Sequence, residues 1–327
     1  MIRIREVAKL AEVSPSTVSR VLNGTAKVNE EKRQRVEKVI KETGFKPNEA
    51  ARTLFKKSAH IIGVIVPNIE NPFFSEMAKA IEAEAYRNGY RLTLCNSSDN
   101  LEKEKNNINL LDRMNADGII LLTNQEDLTK EVKQCKIPVI TLDRQVKNNN
   151  EVACVQSDHY GGGRMAMEYL ISCGCKHIIN MQAPQELSSA RARYQGYLDV
   201  CRERKVEPCS ILCQYQYEDG LIQTEKLLQK YPEVDGILAA NDMVAISVYK
   251  VLHKHGLKVP NDIQIIGFDN INLSSLMTPE ITTIAQPISE MGTEAVQMLL
   301  KYLDGKEIQK QTIFPVELIV RETTKNK

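Results

Sequence analysis

Polar side chains follow several predicted strands in the second part of the sequence. Asp143 and Arg144 come directly after the apolar run 138–142, and Asn241 follows the run 236–240. Carboxylates and amides can donate to or accept from vicinal hydroxyls in pairs, and aromatic rings cover the apolar face of a sugar. The sequence therefore predicts a polar, sugar-sized binding site, although each residue taken alone could be an ordinary helix N-cap. The residues at these strand ends are Asn71, Phe73, Phe74, Asp143, Arg144, Arg191, Arg193, Asn241, Asp242, Phe268, Asp269 and Gln286.

The same sequence shows no residue pattern typical of a catalytic or metal-binding site. It has no Ser-His-Asp grouping, and Gly161-Gly-Gly-Arg164 lacks the Gly-Lys-Ser/Thr ending of a phosphate-binding loop. The eight cysteines match no zinc-site spacing and are interpreted as buried or incidental thiols. We therefore expect neither an enzyme nor a metal site, and no cofactor.

These strand ends belong to a long alternation of apolar strands and helices that begins near residue 60. Near-continuous apolar strands alternating with helices indicate parallel sheets that are covered on both faces. The plan repeats after residue 162, so we expect two doubly wound lobes with ligand chemistry at the carboxyl ends of their strands. The predicted fold class of this part is therefore α/β.

The first 58 residues differ in charge from the rest of the chain. They hold 14 Lys/Arg and 7 Asp/Glu, a net charge of +7, whereas the remainder holds 29 and 35, a net charge of −6. A basic head on an acidic body suggests that only the head meets a polyanion.

The pattern of this head is typical of a helix-turn-helix domain with a third helix packed across it. Apolar residues recur at helical spacing over 4–11, Ser14-Pro15 begins a second helix, and Asn29 is a suitable N-cap for a third. The second helix of such a unit enters the major groove of DNA. Small hydroxyl side chains allow close approach and an arginine can contact guanine in two places, so we expect the DNA contacts to include Ser16, Thr17, Arg20 and Asn29. The alternative is a three-helix interaction module whose polar face is only solvated.

The segment 46–60 joins the head to the body. Pro47 suits a first helical turn, but the segment offers only about two turns, and isolated helices shorter than roughly 12–15 residues are marginal in water. A basic, nearly helical segment between two domains is a candidate switch.

The residues 4–24, from Ile4-Arg-Glu-Val-Ala to Val-Leu-Asn-Gly24, resemble the N-terminal signature of the lactose/galactose repressor family of bacterial transcription regulators. The residues 44–54 resemble that family's hinge, and the body resembles the periplasmic sugar-binding-protein fold. The resemblance implies a homodimeric repressor that binds double-stranded operator DNA, with Leu54 inserted as an apolar wedge in the minor groove.

Within the body, Asn71-Pro-Phe-Phe74, Asp143-Arg144, Gly267-Phe-Asp269 and Gln286 resemble ribose-binding proteins in particular. The resemblance implies that the effector is a small sugar, ribose first. It implies an effector-binding set of Asn71, Phe73, Phe74, Asp143, Arg144, Arg193, Asn241, Asp269 and Gln286. It also calls for an aromatic residue near 215–217, where the sequence leaves Tyr215 and Tyr217 open.

The expected domains are 1–45 for the helix-turn-helix, 46–59 for the hinge helix and linker, and 60–327 for effector binding and dimerisation. We expect the chain to cross between the lobes near 158–162 and 286–290. Without a membrane-spanning run or a signal peptide, the expected location is the cytoplasm. A purine, another sugar or a phosphoprotein remains an alternative effector, and a stand-alone sugar receptor or sugar-metabolising enzyme is the alternative of another class.

Overall fold

The structure is a computed structural model that describes residues 2–23, 28–45, 58–125, 127–146 and 152–325. The chain divides into two compact units, Met1–Ala59 and His60–Lys327. Leu54 and most of the predicted hinge lie outside the described residues, so their proposed role in the minor groove stays a prediction.

The basic head forms three helices, α1 (Ile4–Leu10), α2 (Pro15–Asn23) and α3 (Glu30–Thr43). Asn29 caps α3 by accepting a hydrogen bond from the Glu31 N–H at 2.9 Å, and Gly44 ends it with a left-handed φ of 62°. Both ends agree with the pattern of the sequence. The helices bury one small apolar core, which consists of Val7, Ala8, Ala11, Val18, Val36 and Phe45.

The body alternates strands and helices along its whole length. Its elements are β1 (Ile61–Val66), α4 (Pro72–Arg87), β2 (Arg91–Asn96), α5 (Leu101–Arg113), β3 (Gly118–Leu121), α6 (Thr129–Gln134), β4 (Val139–Leu142), β5 (Ala153–Ser157), α7 (His159–Ser172), β6 (Ile178–Gln182), α8 (Ser188–Arg204), β7 (Cys209–Leu212), α9 (Tyr217–Lys230), β8 (Gly236–Leu238), α10 (Asp242–Lys254), β9 (Gln264–Asp269), α11 (Asn272–Leu276), β10 (Thr282–Ala285), α12 (Ile288–Leu303), β11 (Gln311–Phe314) and β12 (Glu317–Ile319).

These strands form two six-stranded sheets, one for each lobe. The first lobe has the order β11-β5-β4-β3-β1-β2 and is parallel throughout. The second lobe has the order β12-β10-β9-β8-β6-β7 and is parallel except for β12, which runs antiparallel to β10. In both sheets the order reverses at the first strand, so the carboxyl ends beside β1 and β6 open the crevices where doubly wound folds bind ligands. The predicted α/β class with two doubly wound lobes is confirmed.

The chain passes between the lobes at three places. After β5 it enters α7, which packs on the second sheet, and after β10 it enters α12, which packs against α4 and the first sheet. The third passage, between Phe314 and Glu317, joins the edge strands of the two sheets. The sequence prediction named neither this passage nor α12, β11 and β12. For β11 and β12 the reason is that short edge strands carry little periodic signal.

None of the helices in the described parts of the chain is long and apolar enough to cross a membrane. Those parts also contain no group of three histidine, cysteine or acidic side chains able to hold a metal ion.

Candidate functional site

A cavity lies between the two lobes, at the carboxyl ends of their strands. All nine residues of the predicted effector-binding set line it, together with one tyrosine. The lining residues are Asn71, Phe73, Phe74, Asp143, Arg144, Arg193, Tyr215, Asn241, Asp269 and Gln286. The structure thus brings together side chains from six strand ends of the two lobes, and it selects Tyr215 over Tyr217 for this cavity.

Two of the lining amides also cap helices. The Asn71 side-chain oxygen accepts from the Phe73 N–H at 3.1 Å at the start of α4, and the Asn241 oxygen accepts from the Val244 N–H at 2.9 Å at the start of α10. Each cap uses the oxygen of the amide, so the NH₂ group of Asn71 stays available to donate toward the cavity. Capping and ligand binding are therefore compatible at Asn71. In Asn241 the NH₂ group already donates to the Tyr215 carbonyl at 3.3 Å.

Asp143 is the negative centre of the first lobe's side of the cavity. It is buried and adopts a positive φ of 72°, which turns it out of β4. Its Oδ2 lies 3.2 Å from Arg144 Nε, and its Oδ1 lies 3.3 Å from His159 Nε2. Burial by itself raises the pKa of Asp143, but Arg144, a hydrogen bond from His159 and the charge of Arg193 together hold it well below its usual value. Asp143 is therefore ionised at neutral pH.

Arg144 reaches from the first lobe to the second. Its Nε donates to Ser189 Oγ on α8 at 2.8 Å, and its Nη1 donates to the Thr123 carbonyl at 3.3 Å and to the side-chain oxygen of Asn124. The guanidinium also lies 5.0 Å from the centre of the Tyr215 ring. Arg144 thus ties the closed lobes together while it borders the cavity.

His159 lies between Asp143 and Arg193. Arg193 Nε donates to His159 Nδ1 at 3.4 Å, and His159 Nε2 contacts the Asp143 carbonyl at 3.1 Å. An arginine can only donate, so Nδ1 accepts and Nε2 carries the proton. Burial lowers the pKa of His159, so the ring is neutral and acts as a spacer between Asp143 and Arg193.

Arg193 and Asp269 form the second lobe's counterpart. The Arg193 guanidinium stacks 3.5 Å from the centre of the Phe268 ring, donates to the Ala240 carbonyl at 2.9 Å and approaches Asp269 Oδ1 at 3.6 Å. Gln286 Nε2 donates to Asp269 Oδ1 at 2.7 Å. The Gln286 Oε1 atom is buried without a hydrogen-bond partner, so it is a ready acceptor for a ligand hydroxyl.

The ionisation of Asp269 is finely balanced. Burial raises its pKa, Arg193 opposes this and Asp143 adds to it, which leaves the pKa at about 7. Close by, Asp242 is fully buried, accepts from Thr283 Oγ1 at 2.6 Å and from the Ile271 N–H at 2.9 Å, and has a pKa raised well above its usual value by burial and by Asp269.

We expect Asp269→Asn to become more stable relative to the wild type as the pH rises. In the unfolded chain Asp269 ionises near 3.8, but in the folded protein only near 7. Because the pKa of Asp269 is higher in the folded protein, its contribution to the free energy of unfolding is complete below pH 4. That contribution is lost as the pH rises through 7, by roughly 4 kcal/mol in total. About 3 kcal/mol of this change falls between pH 5 and pH 8, where thermal unfolding of both proteins without sugar measures it. An unchanged difference between the two pH values contradicts it.

Arg193 is positioned by an unusually close pair of helices. A Cβ atom at Gly163 on α7 would lie 2.1 Å from the Arg193 carbonyl oxygen, and one at Gly196 on α8 would lie 2.3 Å from the Tyr160 carbonyl oxygen. Gly163 and Gly196 therefore allow α8 to approach α7 and set the depth of Arg193.

Gly163→Ala should push α8 outward and displace Arg193. Overpacking of this kind costs about 1–3 kcal/mol, and we expect a comparable loss in sugar affinity. Thermal unfolding and calorimetric titration measure the two effects. Ser172→Ala, an exposed change at the end of the same helix, is the control and should stay within about 0.5 kcal/mol of wild type. Wild-type affinity in Gly163→Ala would mean that this contact does not position Arg193.

Several residues of the site escaped the sequence prediction. Ser189, His159 and Thr123 contact the arginines and Asp143, but their positions show no pattern of their own. Phe268 was noted at its strand end, yet its role as a stacking platform for Arg193 depends on the packing between α8 and β9. Side chains that support a site are found only when the elements that carry them are brought together.

Of the predicted DNA-contacting residues, Ser16, Thr17 and Arg20 lie on α2, whereas Asn29 caps the start of α3. Ser16 and Arg20 are exposed one turn apart, whereas Val18 between them is buried. Ser14 Oγ accepts from the Thr17 N–H at 3.2 Å and lies 2.7 Å from Ser16 Oγ, which fixes the start of the helix. The exposed face of α2 thus offers a hydroxyl and a guanidinium at a spacing suited to base edges.

Comparison with known proteins accounts for nearly the whole chain. Residues 59–322 match the family described as periplasmic binding proteins and sugar binding domain of LacI family. Residues 3–48 match the family of bacterial regulatory proteins, lacI family.

Among curated relatives, the chain is 38% identical to the ribose operon repressor of Halalkalibacterium halodurans, covering 99% of this chain and 98% of that protein. It is 36% identical to the ribose operon repressor of Bacillus subtilis, covering 99% of both chains. The lac repressor dimer bound to operator and the anti-inducer ONPF superposes with a TM-score of 0.87 at 26% identity, covering 98% of both chains. A LacI transcriptional regulator from Alkaliphilus metalliredigens, complexed with D-xylulofuranose, gives a TM-score of 0.75 at 35% identity and covers 82% of this chain and 100% of that one. The chain therefore belongs to the LacI family of bacterial regulatory proteins.

Proposed function

We propose that this protein is a sequence-specific transcriptional repressor whose affinity for operator DNA is controlled by a small sugar, D-ribose first, bound between the two lobes. The observation that carries the proposal is the cavity whose walls consist of Asp143, Asp269, two arginines, three amides and three aromatic rings. Ribose operon repressors at 36–38% identity over the full length support the choice of sugar.

The cavity can satisfy the hydroxyls of a pentose on both of its faces. Ionised Asp143 accepts hydrogen bonds, the Asn71 NH₂ group donates, and the unpaired Gln286 oxygen accepts. Phe73 and Phe74 are buried with their ring centres 5.3 Å apart and supply an apolar wall for the carbon skeleton of the sugar.

A bound sugar would favour the closed arrangement of the lobes. Its ligands come from both lobes, and the lobes already touch through Arg144 and Ser189 and through Glu76, which accepts from the Asn272 N–H at 2.9 Å. A ligand that contacts both sides stabilises the closed state by the difference in its affinity for the two states.

On the DNA side, we propose that the protein acts as a homodimer in the cytoplasm, because two heads related by a two-fold axis match a palindromic operator. The lac repressor, which superposes with a TM-score of 0.87, is described as a dimer bound to operator, and it supports this assembly. Leu54 is proposed as the minor-groove wedge from the resemblance of 44–54 to the family's hinge.

Calorimetric titration of the full-length protein tests the sugar, and operator binding with and without it tests the regulation. We expect heat and saturation with D-ribose, and a change in operator affinity of at least tenfold at saturating ribose. Hypoxanthine and a hexose are the comparison ligands, because relatives at 34% identity include repressors named PurR and a sucrose operon repressor. Heat with hypoxanthine and none with any pentose would replace the sugar assignment by a purine.

A further inference from the structure

A larger cleft adjoins the sugar cavity and opens to solvent between the lobes. Its space, about 1190 Å³, shares Asn71, Phe74 and Tyr215 with the inner cavity, so we call it the mouth of the site. Its other lining residues are Asn68, Asp99, Asn124, Gln125, Asp127, Pro184, Glu186, Leu187, Gln214 and Gln216.

Among the residues that the structure describes, the charged side chains that line the mouth are all acidic. Asp99 and Asp127 come from the first lobe and Glu186 from the second, and no described lysine, arginine or histidine lines it. Asp99 is held in place because Asn124 Nδ2 donates to its Oδ1 at 2.7 Å. A solute that enters the site therefore passes carboxylates from both lobes.

The lysine and arginine side chains near the mouth make their closest contacts with groups other than its three carboxylates. Lys105 Nζ lies 3.3 Å from Glu102 Oε1 and 3.7 Å from Glu131 Oε1, and it lines neither the mouth nor the inner cavity. The Arg191 guanidinium donates to the carbonyl oxygens of Gln185, at 2.8 Å, and Glu186, at 2.5 Å. Lys105 also interacts electrostatically with Asp127, and Lys103 Nζ donates to Ser98 Oγ at 3.0 Å beside Asp99, so these lysines offset part of the negative charge without lining the mouth.

The two arginines of the inner cavity are also satisfied. Arg144 pairs with Asp143, Ser189 and the Thr123 carbonyl, while Arg193 pairs with Asp269, the Ala240 carbonyl and the face of Phe268. A further anion in this cavity would have to take an arginine from a buried carboxylate, which leaves that carboxylate uncompensated.

We propose that Asp99, Asp127 and Glu186 make the site selective for a neutral sugar against its phosphate ester. A phosphate monoester carries about −1.5 to −2 charges at pH 7. If the phosphate points inward it meets arginines that are already paired, and if it points outward it meets the three carboxylates. The inference rests on the proposed sugar-binding function and adds the chemical class of effector, an unphosphorylated pentose.

Calorimetric titration with D-ribose and with D-ribose 5-phosphate tests this selectivity, at about 0.01 M and at about 0.15 M ionic strength. We expect the wild type to prefer ribose by at least 100-fold at low salt and by less at high salt, because the Debye length falls from about 30 Å to about 8 Å. In the triple variant Asp99→Asn, Asp127→Asn, Glu186→Gln, we expect the preference to narrow by at least tenfold through a gain in affinity for the ester, while the affinity for ribose changes less than threefold.

A matched triple variant removes the same charge elsewhere. Glu82→Gln, Glu233→Gln and Glu307→Gln alter exposed residues that do not line the mouth or the cavity, and the preference should stay within threefold of wild type. The proposal is wrong if the wild type binds the ester within threefold of ribose, or if the mouth variant gains no affinity for the ester. Absence of binding by ribose, by contrast, overturns the proposed sugar-binding function itself.

Discussion

Asp143→Asn should remove the response of this protein to sugar while the protein still binds operator DNA. Asp143 is buried, ionised and placed between Arg144 and His159, so it is the strongest hydrogen-bond acceptor of the cavity. Replacing one member of a buried charged hydrogen-bonding set costs about 2–5 kcal/mol. A loss of about 3 kcal/mol in binding corresponds to roughly a 100-fold weaker affinity for ribose. Calorimetric titration gives the affinity, and fluorescence anisotropy with operator DNA gives the retained function.

The fold should survive this substitution because the site can redistribute its charge. Asp143 is one cause of the raised pKa of Asp269, so its removal allows Asp269 to ionise more readily and to compensate Arg193. Asp199→Asn, which changes a half-buried carboxylate paired with Arg202 on α8 and outside the cavity, is the matched control and should bind ribose as the wild type does. Loss of both sugar and operator binding in Asp143→Asn would show a structural role instead, and unchanged ribose affinity would remove Asp143 from the site.

Arg20→Ala should weaken binding to the selected operator by about 1–3 kcal/mol, roughly 10- to 100-fold, and relax the preference at one base pair. Arg20 is exposed on the face of α2 opposite the buried Val18, where it can contact a guanine edge in the major groove. An operator selected from random DNA with the wild-type protein, and its single-base variants, supply the ligands for anisotropy titrations at one fixed salt concentration.

The control for Arg20 is a lysine of the same head. Lys41 is exposed on α3, and Lys41→Ala removes one positive charge without altering α2. We expect this variant to lose affinity about equally for all sequences and to bind less steeply with salt, as the loss of a phosphate contact predicts. If Arg20→Ala shows the same uniform loss as Lys41→Ala, Arg20 does not read bases.

The boundaries of the helices and strands could be predicted from interactions between residues close together in the chain. Ser14-Pro15, Asn29 and Gly44 are expected at helix ends because of their capping chemistry. In the structure α2 begins at Pro15, Asn29 caps the start of α3, and Gly44 ends α3. The continuous apolar strands of the body predict parallel sheets, because the strands of a parallel sheet are covered on both faces. Once the sheets are parallel, the residues after their strands must meet at one edge.

That rule is why the nine predicted effector-binding residues line one cavity in the structure. The periodicity of a strand fixes where it ends, and topology then places these ends together. The strand-end pattern supplied twelve candidates without any knowledge of distances, and the resemblance to ribose-binding proteins implied which nine of them form the set, although the ligand itself remains a proposal.

The strand-end rule does not extend to the third passage between the lobes, because β11 and β12 are short edge strands, and β11 pairs with β5, more than a hundred residues away in the chain. The choice of Tyr215 over Tyr217 depends on where β7 and α9 leave the chain between them, and two tyrosines two residues apart have the same local signal.

The sequence by itself thus determined which polar residue types follow the strands of the body. The tertiary structure decided how these side chains pair, how deeply they are buried and how they ionise. Arg144 reaches Ser189 because the lobes are closed, Arg193 lies at its depth because two glycines let α7 and α8 approach, and Asp269 titrates near pH 7 because it is buried between Arg193 and Asp143. Pairing, burial and charge are properties of groups that are distant in the chain, so no local pattern can encode them.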